Sequence, residues 1–328
     1  MTFPKKSDAF DGISRPTHVI LFVLSCLGGG GRRQTPLDIP QCTPYDRHRD
    51  GKRPTKQTNN EVNDMAFLQV QFYSKTLNVC STVNVILPEA DQGIGVDASK
   101  AGALPKVLYL LHGYSDDHSI WMRRTSVERY AAQHNLAVIM PAVNHSFYNN
   151  EVHGERYWDY VSDELPQVMH RFFRLSDKAQ DTFVAGLSMG GYGAMKLALT
   201  YPERFAAAAS FSGVVDLADM SHRGVESLLQ MDRIFGSRES IAGTQSDLLY
   251  LLKKNANAAH KPRLYISCGT KDFLYHQHVK FVPIAQSLGW DVTRYDKPDT
   301  VHSWRFWDEE IEKFIPWMLA AKDKKNSK

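Results

Sequence analysis

A serine set between two glycines, Gly186-Leu-Ser188-Met-Gly190, is the part of this sequence best suited to chemistry. It follows the short apolar run Phe183–Ala185 and precedes a helix-like stretch opened by Gly191-Tyr-Gly193, so it falls at a strand-to-helix turn. Glycines two positions either side of the serine remove side chains that would collide with neighbouring elements, and the hydroxyl is left exposed at the tip of the turn. The following helix points its unpaired N–H groups and positive dipole end at the same spot, which favours negative charge developing on a substrate oxygen. These are the needs of a nucleophile that attacks a carbonyl. A bare Gly-x-Ser-x-Gly also arises as a structural loop; the flanking elements and the partners downstream decide here for catalysis.

A serine becomes nucleophilic when a base takes its proton and a third group orients the base. Leu264-Tyr-Ile-Ser-Cys268 reads as a strand ending in Gly269-Thr-Lys-Asp272, which puts Asp272 at its carboxyl end. Trp290–Tyr295 alternates as a last strand, and its loop delivers His302 ahead of a helix over Ser303–Leu319. In this arrangement His302 takes the Ser188 proton and returns it to the leaving alcohol, Asp272 holds the imidazole tautomer, and an acyl-serine forms. The oxyanion needs two backbone donors: the N–H of Met189, next to the nucleophile, and the N–H of Tyr114, in His112-Gly113-Tyr114. Among rivals, Asp291, Asp296 and Asp299 read as solvated charges, His276 and His278 as capping or surface residues at a helix start, and His112 as a buried structural histidine. The run His145–Asn149, with Arg156–Tyr160, should border the site; Tyr148, Trp158 and Tyr192 are the candidate substrate-binding rings, which either line an acyl or aryl pocket or pack the loop base.

The elements that must hold these residues follow from periodicity. Phe67–Tyr73 alternates apolar Leu68, Val70 and Phe72 with glutamines, and Val83–Leu87 pairs with it as an antiparallel edge. The runs Val107–Leu111, Ala137–Met140, Phe183–Ala185, Ala206–Phe211 and Leu264–Ile266 are apolar throughout, as strands buried on both faces are. Helical spacing appears over Val127–Gln133, Val161–Phe173, Gly191–Thr200 and Gln277–Leu288, with Pro166 expected to kink the second or mark its first turn. Strand and helix in alternation predict an α/β fold with a mostly parallel central sheet and helices on both faces. Residues 215–257 read as a small helical insertion over the sheet edge.

The 328 residues carry a net charge of +3, and residues 1–64, with ten basic and seven acidic side chains, account for all of it. The remaining chain is balanced, so no nucleic-acid surface is expected. Residues 1–64 read as a disordered N-terminal extension, 65–320 as the catalytic domain and 321–328 as a basic tail. Cys26, Cys42, Cys80 and Cys268 form no CxxC and suggest neither a zinc site nor a disulfide framework, which points to reduced thiols and a cytoplasmic location. The alternative is export, with Val19–Leu27 as a signal-peptide core. No run is long enough to span a membrane. The chemistry needs no cofactor or metal; the expected partner is a small-molecule ester, and association between copies of the chain is left open.

Taken together, Leu110-Leu-His-Gly113, Trp121, Arg124-Thr-Ser-Val-Glu128, Glu164-Leu-Pro166, Gly186–Gly193, Phe211-Ser-Gly213, Asp272-Phe-Leu-Tyr275 and His302-Ser-Trp304 resemble the esterase D-like family of the α/β-hydrolase superfamily. Within it the likeness is strongest to bacterial tributyrin and acetyl esterases, and it spans about residues 65–320. The resemblance implies a carboxylesterase for short acyl chains and supports Ser188, Asp272 and His302 as its triad. S-formylglutathione hydrolases, feruloyl esterases and mycolyltransferases share the superfamily, so the substrate class stays open. No large lid or lipid-binding domain is recognisable, which favours small soluble esters.

Overall fold

The computed structural model describes residues 65–89, 103–219, 225–237 and 239–320. The extension expected over residues 1–64, its cysteines and the Val19–Leu27 run lie outside the described residues. Among the described residues eight strands form one sheet: β1 (Met65–Ser74), β2 (Val79–Pro88), β3 (Lys106–Leu111), β4 (Leu136–Pro141), β5 (Thr182–Leu187), β6 (Ala207–Phe211), β7 (Arg263–Gly269) and β8 (Val292–Lys297). Their spatial order is β1-β2-β4-β3-β5-β6-β7-β8. The hairpin β1–β2 is antiparallel along its whole length, from Met65 opposite Pro88 to Ser74 opposite Val79, and β2 joins β4 antiparallel. Every later pairing is parallel. Only the hairpin could be joined by a tight turn; each parallel neighbour needs a crossover, and helices supply it.

Among the described residues nine α-helices accompany the strands: α1 (Ile120–Arg124), α2 (Val127–Ala131), α3 (Tyr157–Asp159), α4 (Leu165–Phe172), α5 (Met189–Thr200), α6 (Val225–Phe235), α7 (Leu248–Lys254), α8 (Tyr275–Ser287) and α9 (Trp304–Leu319). One apolar core lies between the sheet and α4, α5, α7 and α8; a second lies on the other face under α1, α2 and α9. Layers on both sides explain why Val107–Leu111 and Leu136–Pro141 are buried at every position. The same chain shows the polar counterpart at the sheet edge, where β8 is buried nowhere along its length.

One expectation changes. The helix predicted from Val161 begins at Tyr157, runs through a wide π-turn at Tyr160–Glu164, and continues as α4 with Pro166 in its first turn. Glu164, at the end of that turn, accepts hydrogen bonds from Lys75 N (2.7 Å), Thr76 N (3.2 Å) and the Ser74 hydroxyl (2.5 Å), which ties the β1–β2 hairpin to the helix. Residues 215–257, of which 220–224 and 238 lie outside the described residues, carry α6 and α7 as a small helical insertion. They connect β6 to β7, which are interior neighbours, and α7 packs on α5 and α8 as the crossover that parallel strands require. The end of α6 is strapped to the loop after β4, where Val152 N donates to Ile234 O (3.1 Å) and His153 N to Arg233 O (3.0 Å).

Candidate active site

The tight turn from β5 to α5 is built from backbone packed on backbone. A Cβ at Gly186 would sit 2.3 Å from Gly190 O, and one at Gly190 would sit 2.4 Å from Leu111 O and 2.6 Å from His112 O. The glycines therefore let the start of α5 rest directly on the end of β3. Between them Ser188 adopts φ 51° and ψ −116°, a conformation rarely used by residues with a side chain. Its backbone is held from the neighbouring strand, with Ser188 N donating to Phe211 O (3.0 Å) and Val214 N to Ser188 O (3.2 Å). Met189 opens α5, so its N–H belongs to the first turn, whose amides have no intrahelical acceptor.

The ends of β7 and β8 bring Asp272 and His302 together. Asp272 Oδ2 and His302 Nδ1 are 2.8 Å apart, the carboxylate fully buried and the imidazole one-fifth exposed. Burial by itself raises the Asp272 pKa, but hydrogen bonds from His302, from Leu274 N (2.9 Å) and from the Ser212 hydroxyl outweigh it and hold the carboxyl below its usual range. An ionised acceptor at Nδ1 keeps the proton there and leaves Nε2 as the basic nitrogen. His302 is packed by aromatic rings, with Phe273 at 4.7 Å and Trp307 edge-on at 4.8 Å between centroids. Ser188 Oγ and His302 Nε2 share no hydrogen bond in this structure; such contacts tighten in the substrate complex of many enzymes.

The loop after β3 supplies the opposite wall. His112 is buried, its pKa pushed down to about 4 by burial. Val143 N donates to Nε2 (3.0 Å), so the proton sits on Nδ1 and is donated to Gly113 O (2.7 Å). The Gly113 N–H is engaged by the Asp116 carboxylate, whose own pKa is raised by burial. The Tyr114 ring stacks on His145 at 4.3 Å and leans on Phe147 at 5.8 Å.

The three rings expected at the substrate sit deeper than that. Tyr148, Trp158 and Tyr192 are at most 5% exposed. Tyr148 OH donates to His112 O (2.9 Å), Tyr192 OH to Ser246 O (3.0 Å), and Trp158 stacks on Tyr201 beneath the Lys196 ammonium. All three rings pack into the base of the loop. Lys196 is itself buried on α5, donates to Tyr148 O (3.2 Å) and Asn149 Oδ1, and burial pushes its pKa well down.

The competing groups part company. Asp299 is an exposed partner of Lys271, and His276 reaches Asp219 from the surface. Asp296 is not merely solvated; it pairs with Arg294 and accepts from Tyr275 OH (2.9 Å). His278, expected as a capping or surface residue, is buried with Nε2 at 3.0 Å from Gly213 O, because it falls on the face of α8 turned to the sheet. Ser212 was missed as a support for Asp272; the only local sign was its place in Phe211-Ser-Gly213 at the end of an apolar strand. Among the described residues no group of three or more His, Cys, Asp or Glu side chains could hold a metal ion, and no helix is long and apolar enough to cross a membrane.

Comparison with known proteins places the chain among esterases. The family described as "Putative esterase" matches residues 74–318. An acetyl esterase of Caldicellulosiruptor saccharolyticus is 29% identical over 269 residues, covering 79% of this chain and 100% of that protein. Two Staphylococcus aureus structures are 39% identical: the fluorophosphonate-binding serine hydrolase F, TM-score 0.70, covering 78% of this chain and 99% of that one, and an S-formylglutathione hydrolase, TM-score 0.69, covering 78% and 100%. The mostly parallel sheet and its helices are those of the α/β-hydrolase-fold esterases.

Proposed function

The chain belongs to this esterase family and is a carboxylic ester hydrolase; from that premise we propose that it is a serine esterase for short acyl chains, acetyl to butyryl, with residues 65–320 as its catalytic unit. Ser188 attacks the carbonyl, His302 moves the proton through Nε2, and Asp272 keeps the imidazole in the required tautomer and stabilises its cation. The tetrahedral oxyanion is received by the N–H groups of Met189 and Tyr114. The observation that carries the reading is the 2.8 Å Asp272–His302 pair, presented from β7 and β8 on the side of the sheet where Ser188 stands at φ 51°.

The mechanism then runs in two halves. Proton transfer to His302 as the Ser188 Oγ–carbon bond forms makes an imidazolium beside the buried Asp272 carboxylate, which is already ionised and needs no reorganisation. Collapse expels the alcohol, to which Nε2 returns the proton. Water enters at the same nitrogen, loses its proton there, and releases the acid from Ser188. Acetyl preference is supported by the acetyl esterase that matches over its whole length. A second reading, thioester hydrolysis by the same triad, is supported by the 39% identical S-formylglutathione hydrolase.

A panel of 4-nitrophenyl esters from acetyl to octanoyl, with feruloyl ester and S-formylglutathione alongside, tests both readings. Highest kcat/KM at two to four carbons, and loss of turnover in Ser188→Ala, are expected. Retained turnover in Ser188→Ala would remove the serine mechanism; faster turnover of S-formylglutathione than of every simple ester would favour the second reading.

A further inference from the structure

Both triad residues delivered after β7 and β8 stand beside an exposed apolar side chain. Phe273 follows Asp272 and is 46% exposed; Val301 precedes His302 and is 53% exposed. Single exposed hydrophobics are ordinary on a protein surface, so exposure alone says little. Position says more. The Phe273 ring lies 4.7 Å from the His302 ring, tilted by 42°. The two loops that carry this pair are joined by backbone hydrogen bonds, Thr270 N to Lys297 O (2.9 Å) and Lys271 N to Thr300 O (3.0 Å), and by Asp299 N to the Thr270 hydroxyl (3.0 Å). Phe273 and Val301 therefore stand on one braced rim rather than on two independent loops.

The reaction assigns a side to that rim. His302 must hand its proton to the leaving oxygen, which brings that oxygen within about 2.6–3.2 Å of Nε2. The group attached to the oxygen consequently passes within contact range of a ring already packed on the imidazole. The oxyanion side is different: Phe147, Phe235 and Tyr192 there are buried and pack on one another. Above these buried rings the Tyr114 side presents a half-buried ring stacked on the exposed His145, whereas the alcohol side presents Phe273, nearly half exposed. Charge points the same way, because Lys271 and Asp299 on the rim neutralise each other at 2.7 Å. A rim without net charge suits a neutral alcohol better than a thiol bearing carboxylates.

Resting on the serine-esterase reading, we propose that Phe273 and Val301 form the alcohol-side subsite, and that it takes a neutral alcohol whose ring offers a flat apolar face, either an aryl alcohol or a pyranose sugar. The ring of the leaving group lies against Phe273, with Val301 on the flank of His302.

Three acetate esters test this with one acyl group and so one deacylation step: phenyl acetate, a peracetylated glucose and ethyl acetate. Phe273→Ala should lower the preference for ring esters over ethyl acetate, as a ratio of kcat/KM, by about tenfold, the size of one aromatic contact, and mostly through KM. Phe273→Leu should fall between the two proteins, and Val301→Ser should lower the same ratio two- to threefold. Loss confined to phenyl acetate identifies aryl alcohols; loss confined to the sugar ester identifies sugars. An unchanged ratio, or equal loss on all three esters with slower fluorophosphonate labelling of Ser188, overturns the proposal, since Phe273 would then only hold His302. Turnover surviving in Ser188→Ala is a separate failure, that of the serine-esterase reading itself.

Discussion

Replacing Gly193 by alanine sets a local rule against the tertiary structure. Gly193 lies inside α5, where alanine is favoured over glycine by about 1 kcal/mol, so helix propensity alone predicts stabilisation. The new Cβ, however, would sit 2.5 Å from both Cγ and Cδ2 of Tyr148, against an ordinary contact of about 3.5–4.0 Å. The ring would have to retreat by roughly 1 Å. It has nowhere to go: Tyr148 is fully buried, its hydroxyl donates to His112 O at 2.9 Å, its N–H donates to the Ser146 hydroxyl at 3.1 Å, and its carbonyl accepts from Lys196 at 3.2 Å. Overpacking costs about 1–3 kcal/mol, and losing the hydroxyl bond costs about 0.5–1.5 kcal/mol. After the propensity gain, Gly193→Ala should be destabilised by about 1–3 kcal/mol, read as a lower urea midpoint at unchanged slope. Because His112 leads into Gly113-Tyr114, kcat on a butyryl ester should also fall. In a Tyr148→Leu background the same substitution should cost at least about 1 kcal/mol less, since the two residues are in contact. A Gly193→Ala protein as stable as the parent would refute the packing argument.

The charge at the proposed triad gives a second test: Asp272→Asn replaces an acceptor at His302 Nδ1 by an amide that favours the wrong tautomer, and kcat should drop by about 10⁴-fold while folding persists. Activity within tenfold of the parent would remove Asp272 from the mechanism. Acid sensitivity follows from two histidines the mechanism does not use. Burial pushes His112 and His278 down to about 4 from 6.5, so between those values the unfolded chain binds a proton at each that the folded chain does not. Stability is therefore fully present above pH 6.5 and is lost as pH falls towards 4, by about 1.4 kcal/mol per pH unit for each histidine. Urea midpoints at pH 7, 5.5 and 4.5 check the slope; a midpoint that holds steady would contradict the buried neutral state.

Much of this was legible in the chain because the responsible forces are local. The apolar runs that became β3 to β7, the Gly186–Gly190 turn and the order Ser188, Asp272, His302 all depend on residues near each other in sequence, or on a chain order set by the fold type. Helix faces were harder. His276 and His278 differ by two positions on α8, yet one is exposed and the other buried against Gly213. Aromatic residues near the site were recognisable as a set, but not which of them stay open: Tyr148, Trp158 and Tyr192 are enclosed, while Phe273 is not.

By itself, then, the sequence determined the alternation of buried strand and helix, the strained turn that lifts Ser188, and the partner types that follow it. These rest on periodicity and on steric limits within a few residues. Only the tertiary structure decided that Ser212 supports Asp272, that α7 packs on α5 and α8 between the interior strands β6 and β7, and which rings face solvent. Those outcomes depend on which segments the order β5-β6-β7-β8 brings side by side, and distances between segments far apart in sequence are set by the packing of the whole sheet.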